Sequence, residues 1–357
     1  MKVLARLLNR RATSGLKLAV PAIVIALSLV AIACGDDGGD QQRQTSPTAA
    51  SNPGTAPNLS AVVVTTMHVV GPNRFALGII DQDAGQPVLD GQIHFRFFEV
   101  EGSQAELRFE SDAESISFDT FFVNDDTGEQ IITGETGVYV ATVEFDMAGN
   151  WGVEATGTLT GKDIEPLRAG FVVLERGQAL AIGDPAPRSR QATIDDVSDI
   201  AEIDTMSPHD PMHDITVADA IDLGKPILVN LGTPAFCETR ICGPVMRTVM
   251  LPLYEKYGEQ ATFIHIEPYL LKEAREGTGL CPVPVFNREF AAQGLGEGTA
   301  SCPKVSEDQL PPPHESWNLT TEPILFLIDA DGNIAGIFES VVGPQEVEKA
   351  LQEALLD

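Results

Sequence analysis

From Leu59 to Leu180 the chain runs in about eight short stretches where apolar and polar residues alternate, parted by Gly, Asn and Asp clusters. Ile93, Phe95 and Phe97 fall on one face of such a stretch, while Gln92, His94 and Arg96 fall on the other. Tyr139, Ala141, Val143 and Phe145 repeat the alternation, as do Trp151, Val153 and Ala155 after the turn Met147-Ala148-Gly149-Asn150. No long helical period interrupts them, so this region reads as an all-β sandwich over residues 58–180.

A polar, proline-containing stretch from Gly183 to about Asp214 then gives way to a different grammar. Pro226 to Leu231 reads as a buried strand, Met246 to Tyr257 as a helix bent at Pro252, and Thr262 to Ile266 as a second strand. After a long irregular insertion, Ile324–Ile328 and Ile334–Glu339 flank Asp329-Ala330-Asp331-Gly332-Asn333, a hairpin signal. Val347, Ala350, Leu351, Ala354 and Leu355 make one apolar stripe of a closing helix, with Pro344 near its start. Strand, helix, strand, hairpin and helix predict an α/β plan with a mixed sheet over residues 181–357.

The N-terminus changes the picture. Lys2, Arg6, Arg10, Arg11 and Lys17 precede an apolar run from Leu18 to Ala33 with no acidic residue, the profile of a secretion signal. As a helix that run would span about 24 Å, short of the roughly 30 Å hydrocarbon core. Val30-Ala31-Ile32-Ala33-Cys34 resembles the lipobox of bacterial lipoproteins, although Ala31 stands where those proteins usually carry Leu. The resemblance implies removal of residues 1–33 and lipidation at Cys34. The protein would then sit on the extracytoplasmic face of the cell membrane through several acyl chains. Residues 34–57, rich in Gly, Pro, Ser, Thr and Gln, read as a flexible tether.

Losing the signal leaves 18 basic residues against 52 acidic ones, a formal charge of −34 in place of −29. So acidic a surface repels phosphates, which excludes nucleic acid as a partner and leaves the lipid to hold the membrane. Assigning Cys34 to lipid leaves Cys237, Cys242, Cys281 and Cys302 as an even set in a compartment where disulfides persist. Nothing in the pattern implies a cofactor.

The segment richest in chemistry, Leu231-Gly-Thr-Pro-Ala-Phe-Cys237-Glu-Thr-Arg-Ile-Cys242-Gly-Pro-Val245, lies between a strand and a helix. Unpaired N–H groups and the positive end of a helix stabilise a thiolate there, and the thiolate is the nucleophile of disulfide exchange. Two cysteines at one junction allow one to attack and the other to resolve. In a regular helix, residues five apart lie roughly 8–9 Å from each other, beyond the ~7 Å a disulfide spans. Cys237 must therefore precede the helix, with Cys242 in or just before its first turn. On that geometry Cys242 gains more from the helix end and Cys237 is the more exposed; Cys237, by its place after Phe236, is read as the attacking thiol and Cys242 as resolver, and the reverse order stays open. A permanent staple is the bland alternative. Cys281 and Cys302, each followed by proline in a Gly- and Pro-rich insertion, read as a structural disulfide worth about 3 kcal/mol.

Strand, Thr-Pro-Ala-Phe-Cys, Cys-Gly-Pro, helix, and then Thr321-Glu322-Pro323 before a strand and hairpin together resemble the thioredoxin-like superfamily. Ile182-Gly183-Asp184-Pro185-Ala186-Pro187 is similar to the lead-in of its anchored and secreted oxidoreductases. The N-terminal β region resembles an immunoglobulin-like sandwich without the inter-sheet disulfide, since it holds no cysteine. By these likenesses the fold is an immunoglobulin-like sandwich followed by a thioredoxin-like domain. Cys237 and Cys242 would be a redox pair, four residues apart where the family's usual spacing is two, and Pro323 a cis-proline lining the site. The implied activity is thiol-disulfide exchange with protein thiols or disulfides outside the cytoplasm. A copper-handling chaperone using the same cysteines and a redox-inactive scaffold are the alternatives. Peroxidase chemistry fits less well, since Thr233 stands four residues before Cys237 where peroxiredoxins space the two by three. Met206, His209, Met212 and His213 are a weak candidate for a copper site. His265, on a strand, reads as a core or site-flanking residue. His68, His94 and His314 carry no signal; Glu322, beside Pro323, could accept a proton near the thiols or discourage acidic substrates, with a solvated side chain as the default.

Overall fold

The computed structural model describes residues 58–123, 130–237, 240–296 and 301–356; the signal segment, Cys34 and the tether lie outside the described residues. Among the described residues no helix is long and apolar enough to cross a membrane.

The β region consists of β1 (Leu59–Val63), β2 (Gly71–Asp81), β3 (Gln86–Pro87), β4 (Gly91–Glu101), β5 (Gln104–Val123), β6 (Gln130–Phe145), β7 (Gly149–Leu159), β8 (Lys162–Asp163) and β9 (Leu167–Val173). They pair antiparallel in the order β1-β2-β6-β5-β4-β7-β8, with β3 on β2 and β9 on β7. Two separate sheets were expected, but the strands make one nearly closed sheet. The physical cause is the length of β5, whose 20 residues pair with β4 as far as Ala113 and with β6 from Glu114 onward. A parallel bridge between Val69 and Leu174 draws the far ends together. Inside lie Phe75, Phe95, Phe97, Tyr139, Phe145 and Trp151, all essentially without solvent exposure. Their rings meet mostly edge-to-face at centroid separations of about 5–6 Å.

Alternation fails informatively on β6. Val138 and Val140, on the face opposite Tyr139 and Ala141, are buried too, because Ile241 and Val341 of the C-terminal region cover them. Arg74 fastens the same seam. Its guanidinium makes a bidentate pair with Glu346 at 2.8 and 2.9 Å and donates to the backbone oxygens of Glu339 and Val341. The described residues accordingly form one compact unit.

The C-terminal region carries a four-stranded mixed sheet in the order β11 (Thr262–Ile266), β10 (Ile227–Leu231), β12 (Ile324–Ile328), β13 (Ile334–Glu339). β10 runs parallel to β11 and antiparallel to β12, and β12 pairs antiparallel with β13. Period-two alternation sorts its residues between two layers. Ile227, Val229 and Leu231 face α1 (Val217–Ile221), Trp317 and Leu319. Leu228, Leu325 and Leu327 face a helical segment and a C-terminal helix. That segment comprises α2 (Cys242–Val245), a wider π-type stretch Met246–Met250, and α3 (Leu251–Tyr257). Two short helices, α4 (Leu271–Arg275) and α5 (Arg288–Gln293), ride on the insertion, and α6 (Pro344–Ala354) closes the chain with Val347 and Leu351 inward.

Two differences from expectation have local causes. The helix begins at Cys242, as the cysteine spacing required, and not at Met246, where periodicity started it, because Pro244 falls in its first turn, where a missing N–H costs nothing. Pro252 is met not by a simple bend but by the π-type turn just before it, a way of absorbing an absent donor. Residues 183–214, read as a connector, are also no loose linker: Ser189, Asp204, Asp210 and His213 are buried against the sheet.

Candidate functional site

At the end of β10 the backbone passes through Gly232 and Thr233 and turns over Pro234 to Phe236 before reaching Cys237. Glu238 and Thr239 lie outside the described residues. Arg240 adopts a left-handed φ of 60°, Ile241 is buried, and Cys242 opens α2. Cys237 is half-buried and Cys242 has no solvent exposure; the two are joined in a disulfide with a Cα separation of 6.1 Å. Ile241 anchors the loop by packing with Val138 and Val140.

The helix end acts on the other sulfur than the sequence suggests. The backbone N–H of Cys242 donates to Cys237 Sγ at 3.4 Å, because the loop folds back and sets that sulfur over the start of the helix. An N–H aimed at Cys237 favours its thiolate whenever the bond opens. Cys242, enclosed by the helix and sheet, lacks access to a bulky partner.

The other wall is the turn before β12. The Glu322–Pro323 peptide is cis, and Pro323 packs so closely on Gly232 that a Cβ there would lie 3.1 Å from its ring. Glu322 accepts a hydrogen bond from Thr233 N at 2.7 Å, and its carboxylate and the two sulfurs lie within 4.8 Å of one another. Glu322 is thus a half-buried brace for the loop and not a solvated side chain. Asn230, fully buried on β10, donates to Met246 Sδ at 3.1 Å beneath the same turn.

Cys237 opens onto a groove of about 510 Å³. One side is Pro234, Arg240 and Arg247; the other is Phe121 and Thr133 of β5 and β6. The β region therefore walls the cysteine groove, a contribution no local pattern at residues 121 or 133 could disclose.

The Met206, His209, Met212 and His213 cluster is corrected. Met206 and Met212 are buried in the apolar core with Leu228, Met246 and Phe263, whereas His209 and His213 face the carboxylates of Asp204 and Asp210. The acidic residues of that segment turn inward instead. His265 places Nδ1 2.7 Å from Asp210 Oδ2 and Nε2 2.9 Å from Gly232 O. Burial pulls its imidazole down, but the Asp210 carboxylate outweighs that and raises it to about 9. Burial works against the Asp210 carboxylate too, yet His213 and His265 hold it well below the usual range. Glu267, which accepts from Thr205 N at 2.8 Å, is pushed up by burial. Thr205 Oγ1 in turn accepts from Ala235 N at 3.1 Å, so this network stands directly behind the cysteine loop.

Cys281 and Cys302 form a second disulfide, both buried, in the insertion. Gly296 sits against it so tightly that a Cβ would come within hard contact of Cys302 Sγ.

No family model matches the chain, and no curated protein matches it. Among solved structures it is similar to a thiol:disulfide interchange protein of the thioredoxin family from Chlorobium tepidum TLS, at 18% identity over 50% of this chain and 99% of that one, with a TM-score of 0.26. It is also similar to murine CRIg, at 13% identity over 34% of this chain and 99% of that one, with a TM-score of 0.19. Likenesses this slight leave the functional reading to the cysteine site itself.

Proposed function

We propose that the protein is a thiol-disulfide oxidoreductase, with a thioredoxin-like C-terminal domain and an immunoglobulin-like β domain, anchored outside the cytoplasm through lipid at Cys34. The observation that carries the reading is the asymmetry of one pair: Cys237 half-buried beside a groove with a helical N–H on its sulfur, and Cys242 buried behind it at bonding distance.

In the reducing direction, Cys237 thiolate attacks one sulfur of a substrate disulfide, forming a mixed disulfide and releasing a substrate thiolate. Cys242 thiolate then attacks Cys237 Sγ, which closes the internal disulfide and releases the second substrate thiolate. Two protein thiols are oxidised, one substrate disulfide is reduced, and the two protons pass to the substrate thiolates. The oxidising direction is the reverse. Pro323 and Glu322 shape the turn on which substrate would lie, and Phe121 and Thr133 bound its far side.

Trapping tests this. A Cys242→Ser variant offered a disulfide-bonded protein should accumulate a mixed disulfide through Cys237, and Cys237→Ser should not. Equal trapping by both, or by neither, would defeat the assignment. The copper reading draws on one observation, the proximity of Cys237, Cys242 and Glu322 ligand atoms. Anaerobic Cu(I) titration separates it, because a chaperone would saturate with both thiols as ligands.

A further inference from the structure

A second constellation lies apart from the thiols. Asp204, Asp210, His213 and His265 each turn one ligand atom inward, and these atoms all lie within 4.8 Å of one another. All four side chains are almost wholly buried. His265 Nδ1 is 2.7 Å from Asp210 Oδ2 and 4.0 Å from Asp204 Oδ1. His213 Nε2 is 3.4 Å from Asp210 Oδ2 and 3.8 Å from Asp204 Oδ2. A tetrahedral zinc ion with bonds of about 2.0–2.1 Å needs ligand atoms about 3.3 Å apart, which these separations bracket.

His213 supplies an independent pointer. Its Nε2 is buried and lies within ion-pair range of both carboxylates, 3.4 Å from Asp210 and 3.8 Å from Asp204, yet meets neither in hydrogen-bond geometry. A buried nitrogen left so is costly unless something else engages it.

The surroundings orient the other donors. His265 Nε2 faces the carbonyl of Gly232, which only an N–H can satisfy, so Nδ1 is the atom left to ligate. Asp210 Oδ1 accepts from Met212 N at 2.9 Å, leaving Oδ2 for the centre. Asp204 accepts from the N–H groups of Met206 at 2.7 Å and Asp210 at 3.0 Å, and from His209 Nδ1 at 2.9 Å. Two carboxylates and two neutral imidazoles carry a charge of −2, which a divalent ion cancels in a place where bare charge is expensive.

We propose that Asp204, Asp210, His213 and His265 form a zinc site. Two nitrogens and two carboxylate oxygens in a closed, four-coordinate space suit zinc; calcium takes six to eight oxygens, and magnesium near-octahedral oxygen geometry with several retained waters. Copper(I) would need the sulfurs that Met206 and Met212 commit to the core. A cavity of about 630 Å³ bordered by His213, His265 and Glu267 offers the ion its approach. On binding, the proton shared between His265 Nδ1 and Asp210 leaves to solvent and the metal takes its place. The ion ties the 204–213 segment to β11 and, through Gly232 O, steadies the start of the cysteine loop.

The test uses the full chain in its oxidised form, where Cys237, Cys242, Cys281 and Cys302 cannot ligate. After chelator treatment, titration with zinc alone should show one equivalent bound with a Kd below about 1 µM and a higher Tm. Cobalt(II) in the same protein should give the intense visible bands of a tetrahedral ion. His213→Gln keeps a polar side chain in place but gives up the ion pairs with Asp204 and Asp210, so the metal-free variant should still fold, with a lower Tm, while binding zinc at least about a hundredfold more weakly. Asp204→Asn should lose the cobalt bands as well. Absence of saturable zinc binding, a weak octahedral cobalt spectrum in the parent chain, or unchanged affinity in His213→Gln would each overturn the proposal. None of these readouts involves disulfide exchange.

Discussion

The two disulfides of the C-terminal region share a chemistry and differ in everything around it. Cys237 and Cys242 are 5 residues apart at a strand-to-helix junction, with one partner reaching a groove. Cys281 and Cys302 are 21 apart, and both are enclosed, with Gly296 pressed on the second sulfur. By loop entropy the short closure contributes about 2 kcal/mol and the long one about 3. The bond that stabilises less is thus the one a substrate can reach. A staple benefits from a long loop and a sealed bond, whereas a relay needs a short loop, one exposed sulfur and one hidden sulfur.

The sharpest way to break that comparison is to remove each disulfide in turn. Cys237→Ser should lower the rate of exchange with a protein disulfide by about a thousandfold, some 4 kcal/mol of barrier, while stability falls by about 2 kcal/mol or less. Stopped-flow or fluorescence assays of disulfide reduction read the first effect and denaturant melts the second. Cys281→Ser with Cys302→Ser should do the opposite, costing about 3 kcal/mol in the melts and leaving the exchange rate within a few-fold. Should the double variant lose exchange while remaining folded, the division of labour between the pairs would be wrong.

Acid sensitivity provides a smaller effect that belongs to neither pair. Burial holds the His68 imidazole in the β region down to about 4, against an ordinary value of 6.5. The unfolded chain therefore binds the proton first, and stability is lost as pH falls from about 6.5 toward 4. The loss reaches about 2 kcal/mol at pH 5. Melts at pH 7 and pH 5 should show it in the parent chain and in either cysteine variant alike. His68→Gln should flatten that part of the slope; an unchanged slope would place the acid-labile group elsewhere.

What was legible in the sequence follows the range of the forces involved. β10 to β13 could be read almost to the residue, because each is an apolar run between breakers and its burial depends on its own side chains. The position of Cys237 ahead of the helix followed from chain geometry alone. Periodicity alone put the helix onset four residues late, at Met246, since Gly243-Pro244 looks like a loop, whereas the cysteine spacing placed Cys242 in or just before the first turn. The methionines and histidines at 206–213 were grouped by proximity in sequence, yet the methionines enter the apolar core while the histidines face Asp204 and Asp210. Asp204 and Asp210 find their partner in His265, 55 residues on from Asp210, and no local spacing marks such a meeting. Phe121 and Thr133 were equally invisible. They border the cysteines only because the β region docks through Arg74, Val138 and Ile241. Membrane attachment at Cys34 stands on the N-terminal pattern, and mass analysis of the mature N-terminus would weigh it directly.

The most direct test equilibrates the folded oxidised protein across a series of dithiol buffers, blocks free thiols at each potential, and maps every cysteine by mass. Cys237 and Cys242 should open and close together as a reversible two-electron couple while Cys281 and Cys302 stay joined throughout. If the 237–242 bond yielded only when the chain was unfolded, in step with 281–302, both would be staples and the relay would be refuted.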